Sequence, residues 1–107
     1  MAHKNKIKGN RFEYMVRDMF IDKGIEAKRA YASDGRSLGL TEDVDVLAIH
    51  NDIQYPIQCK IRKRISNVVK PNDNVFAQVI REDRGEPLAV LKLDRLIDLI
   101  ARSNDIQ

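Results

Sequence analysis

Phe12, Met15, Val16, Met19 and Phe20 recur at i, i+3, i+4, i+7 and i+8. That is one apolar stripe at helical period and predicts a helix over about residues 10–23. Gly24 follows where a helix ends in the left-handed conformation. Residues 25–31 read as a strand, and Ser33 to Asp43, with Gly35 and Gly39, read as a loop. The run 44–50, Val-Asp-Val-Leu-Ala-Ile-His, is the strongest strand signal, and Asn51-Asp52 turns it into a hairpin whose second arm is 53–61. Pro56 donates nothing to a ladder, so the well-paired part of that arm is expected to begin near it. Ile57, Cys59 and Ile61 then face one side, Gln58 and Lys60 the other. Pro71 to Asp73 open a second predicted helix carrying Val75, Phe76, Val79 and Ile80, which stops before Gly85-Glu86-Pro87. A short strand at 88–92 precedes a last helix capped by Asp94, with Leu96, Ile97 and Ile100 inside and Leu99 widening the stripe.

The order α-β-β-β-α-β-α, with hairpin and crossover connections together, predicts an α/β fold with a mixed central sheet flanked by helices. At 107 residues, with neither repeat nor linker, one domain spanning 1–107 is expected. No apolar run approaches the ~18–20 residues that span a bilayer, so no membrane partner is expected. The basic start, Met1 to Lys8, has no apolar segment behind it, and the reading expects no secretory signal. Cys59 is the only cysteine, which excludes an intramolecular disulfide and an all-cysteine zinc site and fits a reducing, cytoplasmic location.

Charge adds a location for chemistry. The net charge is only +3, yet residues 41–58 carry four acidic and no basic side chains, while residues 59–70 carry five basic and no acidic ones. An acidic island between basic segments suits a metal-dependent enzyme acting on a polyanion, with carboxylates on the cation and cations on phosphates. Asp45 lies near the start of one hairpin arm, and Gln58 and Lys60 share a face of the other. With strands ~4.8 Å apart, the three side chains can converge. A carboxylate and an amide oxygen are hard ligands of the kind Mg²⁺ takes, water and substrate phosphate completing the shell. Lys60 is then placed to assist the attacking water or offset phosphoryl charge. Glu13, beside the apolar stripe of the first helix, can reach the same place as a further ligand. Arg62, Lys63 and Arg64, one residue past Lys60, are read as phosphate contacts, with Lys8 and Arg36 as further contacts to the polyanion.

Asp45…Gln58-x-Lys60 within this element order resembles the core of the PD-(D/E)XK nucleases. More closely, the N-terminal half resembles the small Holliday junction resolvases of archaeal Hjc type. Their helical Glu, Lys-Gly turn, strand-ending Arg and small-residue loop with Ser match Glu13, Lys23-Gly24, Arg29 and Ala30-Tyr31-Ala32-Ser33-Asp34-Gly35. Their metal Asp matches Asp45 and their lysine Lys60, over roughly residues 8–62. The resemblance implies a restriction-endonuclease-like αβββαβ core. It also implies Mg²⁺-dependent phosphodiester cleavage, with Mn²⁺ able to substitute and no small-molecule cofactor, by a homodimer that nicks opposed strands of a four-way DNA junction. Asp45, Gln58 and Glu13 would hold the metal, and Ser33, in a mobile loop, and Arg29 would meet the backbone at the cut. Gln58 stands where the family has Glu, keeping an oxygen ligand and losing one charge. Surplus apolar surface on the last helix also suits two-fold packing. So compact a nuclease would suit a viral or phage genome. The alternatives are an Mrr-like or repair endonuclease on duplex or flapped DNA, and a catalytically silent DNA-binding module.

Overall fold

The computed structural model describes residues 2–103, without the side chains of Ala2, His3 and Ser33. Helix α1 spans Ala2–Asp22, strand β1 Glu26–Arg29, β2 Val46–His50, β3 Ile53–Ile57, β4 Gln78–Ile80 and β5 Leu88–Val90, and helix α2 Leu93–Arg102. Between β1 and β2 the chain makes two 3-10 turns, Tyr31–Ser33 and Gly35–Leu38.

α1 starts nearly three turns before its apolar stripe, because residues 4–8, polar apart from Ile7, are helix-compatible and stay exposed. Its end follows the sequence reading. Gly24 takes φ +82°, and the N–H groups of Gly24 and Ile25 close back onto the carbonyls of Ile21 and Phe20, a left-handed cap. The buried stripe is rotated from the one predicted. Glu13, Val16 and Phe20 point inward, while Met15 is 52% exposed.

β1, β2 and β3 form an antiparallel sheet with β2 in the middle. Its register pairs Arg29 with Val46 and Val46 with Ile57, so the end of β1, the start of β2 and the end of β3 lie at one edge of the sheet. The hairpin turn is the one expected. Asn51 and Asp52 both adopt positive φ, the geometry of a two-residue turn whose twist matches its strands. Pairing in β3 runs from Ile53 and stops just past Pro56, the reverse of the expectation. β3 is an edge strand, where a missing ladder donor is tolerated.

The core joins Val16 and Phe20 of α1, Ile25 and Ala27, Val46 and Ala48 of β2, and Ile97 and Ile100 of α2. α2 thus spends its apolar face on this core and leaves only Leu99 largely outside. Its N-cap position is Lys92, without a side-chain cap, and Asp94 lies one residue inside the first turn, where its charge meets the positive end of the helix dipole.

The predicted second helix is absent. Residues 71–77 are irregular, and β4 pairs antiparallel with β5 as a separate two-stranded sheet. Asn72 accepts the Asn74 N–H at 2.8 Å in a local turn, which competes with helix nucleation. The β-branched Val79 and Ile80 prefer a pleated strand. The α/β class stands and is compatible with a compact restriction-endonuclease-like fold. Among the described residues, however, every strand pair is antiparallel, and the expected mixed sheet is replaced by two sheets.

Phe20 is fully buried, so Phe20→Ala should cost about 3–5 kcal/mol. Met15→Ala, on the same helix, should stay within about 0.5 kcal/mol. Urea unfolding measures both as shifts of midpoint at unchanged slope.

Candidate active site

The sheet edge at Arg29, Val46 and Ile57 is where the chemistry-bearing residues collect. Asp45 extends β2 by one residue. Its N–H donates to the Ile57 carbonyl at 2.9 Å, and its own carbonyl accepts the Ala30 N–H at 2.8 Å. The backbone is therefore tied on both sides. Its side chain is tied as well, Oδ2 accepting the Cys59 N–H at 2.7 Å. The approach to Asp45 depends on Gly35. A Cβ there would lie 2.2 Å from the Thr41 carbonyl oxygen and 2.7 Å from Val44 Cβ, so only glycine lets segment 41–44 pass this close.

Glu13 comes to the same edge from α1. Its Oε1 accepts the Arg29 Nε–H at 2.9 Å, with Glu13 buried and Arg29 partly so. Arg29 is fixed further by donating from Nη2 to Asn10 Oδ1 at 2.8 Å and by lying 4.8 Å from the Tyr14 ring centre. The sequence reading assigned Arg29 to the DNA backbone; the structure turns its guanidinium onto Glu13 and Asn10. Asn10 and Tyr14 were not anticipated, although Asn10, Glu13, Tyr14 and Arg17 sit at i, i+3, i+4 and i+7. That is a polar helical stripe beside the apolar one, visible to the same periodicity argument.

Between α1 and the segment after β3 lies a cleft of about 560 Å³, walled by Glu13, Cys59, Lys60 and, around its rim, Lys8, Arg62 and Lys63. Lys8, Lys60 and Lys63 make no side-chain ion pair or hydrogen bond among the described residues. These three ammonium groups are available to a polyanion. Arg64 continues the basic wall into a neighbouring groove with Lys70. Arg36 is exposed and occupied with Asp34, whose carboxyl it holds below the usual carboxylate range through side-chain and backbone hydrogen bonds. Ser33 belongs to the first 3-10 turn, and its side chain lies outside the described part.

Gln58, expected in the metal set, lies just past the end of β3, is exposed and, like Asp45, does not line the cleft, while the alternation turns Cys59 toward the core. The two carboxylates instead flank Cys59. Burial, then the negative charges of Asp45 and Glu13, push its thiol up to about 11. Cys59 is thus a neutral thiol at physiological pH, and the hard donors are Glu13 and Asp45. Among the described residues no three His, Cys, Asp or Glu side chains form a ready cage. A pair of buried carboxylates fits Mg²⁺, which keeps several waters and takes one or two carboxylates plus substrate phosphate.

The raised thiol pKa predicts slow alkylation of Cys59 at pH 8 in the folded protein, rising only as the pH nears 11. Unfolding in denaturant should restore ordinary thiol reactivity. A folded pKa above the ordinary 9.0 contributes stability that is complete below pH 9 and is lost as the pH rises through the folded value.

The sequence model of the family described as archaeal Holliday junction resolvase (Hjc) matches residues 4–106, and placement among the PD-(D/E)XK nucleases is consistent with it. The match extends well past the N-terminal half that carried the resemblance, through the β4–β5 sheet and α2. No curated protein and no solved structure gives a significant match. With nearly its whole length matched, the chain belongs to the archaeal Holliday junction resolvase (Hjc) family.

Proposed function

We propose that the chain is a Mg²⁺-dependent endonuclease that hydrolyses phosphodiester bonds of four-way DNA junctions as a homodimer. The observation that carries this reading is the pair of buried carboxylates, Glu13 and Asp45, 7% and 8% exposed, set beside a cleft of unpaired lysines. Burying a carboxylate is expensive, and family membership supplies the substrate class that would reward it.

Hydrolysis requires a water in line with the P–O bond that breaks and a counterweight to charge on the phosphoryl oxygens. Glu13 and Asp45 would hold the Mg²⁺, which when bound polarises a phosphoryl oxygen and acidifies water, with Mn²⁺ as substitute. Lys60 offsets phosphoryl charge from the cleft wall and orients the attacking water. Arg29 is a positioning residue, since it reaches the reacting atoms through Glu13. Lys8, Arg62, Lys63 and Arg64 track the sugar-phosphate backbone as cations, and the 31–38 loop with Ser33 and Arg36 borders the strand to be cut. Gln58 stays outside the metal set.

The homodimer is supported by apolar surface that the chain leaves in water. Phe76 before β4, Val79 on β4 and Leu88 on β5 are all more than half exposed, with Ile65 and Val68 in the segment leading to them. Val79, paired with Ala89, and Leu88, paired with Ile80, lie on opposite faces of this two-stranded sheet, and large apolar side chains left in water on this scale mark interfaces. The surface that calls for a partner is therefore the β4–β5 region, in place of the last helix.

The deciding experiment is cleavage of a labelled four-way junction beside duplex and single-stranded controls, with and without Mg²⁺. Asp45→Asn and Lys60→Ala are expected to abolish cleavage and leave junction binding largely intact, whereas Gln58→Ala should retain most of it. Equal loss of binding and cutting in the first two variants would overturn their roles. Metal-dependent cutting of every substrate would instead indicate a duplex or repair endonuclease, and binding without cutting a silent module.

Sedimentation should give twice the 12.3 kDa chain mass, with Val79→Asp shifting the protein toward monomer and uncoupling the paired nicks. A monomeric wild type would remove the homodimer.

A further inference from the structure

Glu13 and Gly9 also line a second cleft, of about 590 Å³, whose opposite side is formed by Arg29, Tyr31 and Ala32. Two aromatic rings border it, and they are in different states. The Tyr14 ring is flanked by the guanidiniums of Arg17 and Arg29, each 4.8 Å from its centre. The Tyr31 ring has no cation or ring contact among the described residues and is 81% exposed, more than any other large apolar or aromatic side chain described. A ring left so far in water contributes almost nothing to the core.

Its backbone is nevertheless held. The Tyr31 N–H donates to Ser37 Oγ at 3.0 Å, its carbonyl accepts the Asp34 N–H at 3.0 Å, and Ala32 beside it takes a left-handed φ of +53°. A turn that keeps an alanine at positive φ while presenting a bare aromatic face carries a local cost. Lys6, exposed and unpaired, lies on the same cleft. A flat apolar face and a cation, one carboxylate away from the candidate active site, match a nucleotide. The face takes the base and the cation takes the phosphate. Bases inside a duplex are stacked on both faces and have none to offer, whereas a base beside a strand exchange does.

We propose that Tyr31 stacks on a nucleobase unstacked at the branch point of the DNA, with Lys6 on that nucleotide's phosphate, so that this cleft reads the branch while the neighbouring one cuts. The assignment rests on the junction-directed function proposed above. It makes Tyr31 a contact for branched DNA specifically and leaves duplex affinity to the cations.

The test is equilibrium binding in EDTA of wild type, Tyr31→Ala and Tyr31→Phe to a four-way junction and to a duplex of equal length. Thermal melting serves as a fold control, which the exposure of the ring predicts to be unchanged. Tyr31→Ala should weaken junction binding about tenfold and leave duplex binding as it was, and Tyr31→Phe should bind as wild type. Each nucleotide flanking the crossover is then made abasic in turn. At one position the missing base should weaken wild type and leave Tyr31→Ala no weaker than before, because the two changes remove the same contact. A Tyr31→Ala variant that binds the junction as wild type does, or losses that add at every abasic position, would overturn the stacking assignment alone. A wild type that binds junction no better than duplex would take away the functional reading, and the cleft's substrate with it.

Discussion

Asp45 is held at three points, and the rest of the site is placed relative to it. Its backbone N–H is on β3, its carbonyl is on the residue that follows β1, and its carboxylate is on the Cys59 N–H. A side chain fixed this way has little freedom to lose when a ligand arrives, which is the physical content of a preorganised site. The tie to Cys59 also sets where the chain goes after β3. Lys60 follows at once and enters the cleft wall, so the carboxylate and the ammonium are placed by one hydrogen bond. Gly35 belongs to the same constraint, because its missing Cβ is what lets segment 41–44 deliver Asp45 to the sheet edge.

The second fixed point is the Glu13–Arg29 pair between α1 and β1. A buried ion pair gains little over well-packed apolar residues of the same size, since desolvation consumes most of the attraction. Breaking it by removing one partner is costly. The pair is better understood through what it positions than through stability. It keeps a carboxylate at the sheet edge and aims it between two clefts, and the Tyr14 ring and Asn10 keep Arg29 from swinging away. A buried carboxylate then sits in the wall of a cleft also lined by lysines and arginines, an arrangement that attracts a polyanion.

The β4–β5 sheet stands apart from this centre. It packs as its own two-stranded unit, and its apolar side chains remain in water. An isolated hairpin of this size is marginal by itself, and the second subunit proposed above would both stabilise it and take Val79 and Leu88 out of water.

Local pattern determined much of this protein. The α1 stripe, the Gly24 cap, the Asn51-Asp52 turn and the β2 strand were legible because each depends on neighbours within a few residues. Glu13, Asp45 and Lys60 were candidates in the sequence chiefly through the resemblance, and the structure brings Glu13 and Lys60 to one cleft with Asp45 on the Cys59 N–H beside it. The sequence also carried the family resemblance in its N-terminal half. Three matters were decided only by tertiary structure. Residues 78–80 became a strand because Val79 and Ile80 found a partner at 88–90, a contact that periodicity within one window does not contain. The exposure of Gln58 follows from where β3 stops pairing with β2, at Ile57. Arg29 turned inward because a buried carboxylate from a helix distant in sequence required a counter-charge. Short-range order is written in residue spacing, whereas the choice among competing long-range partners is settled only when the elements pack.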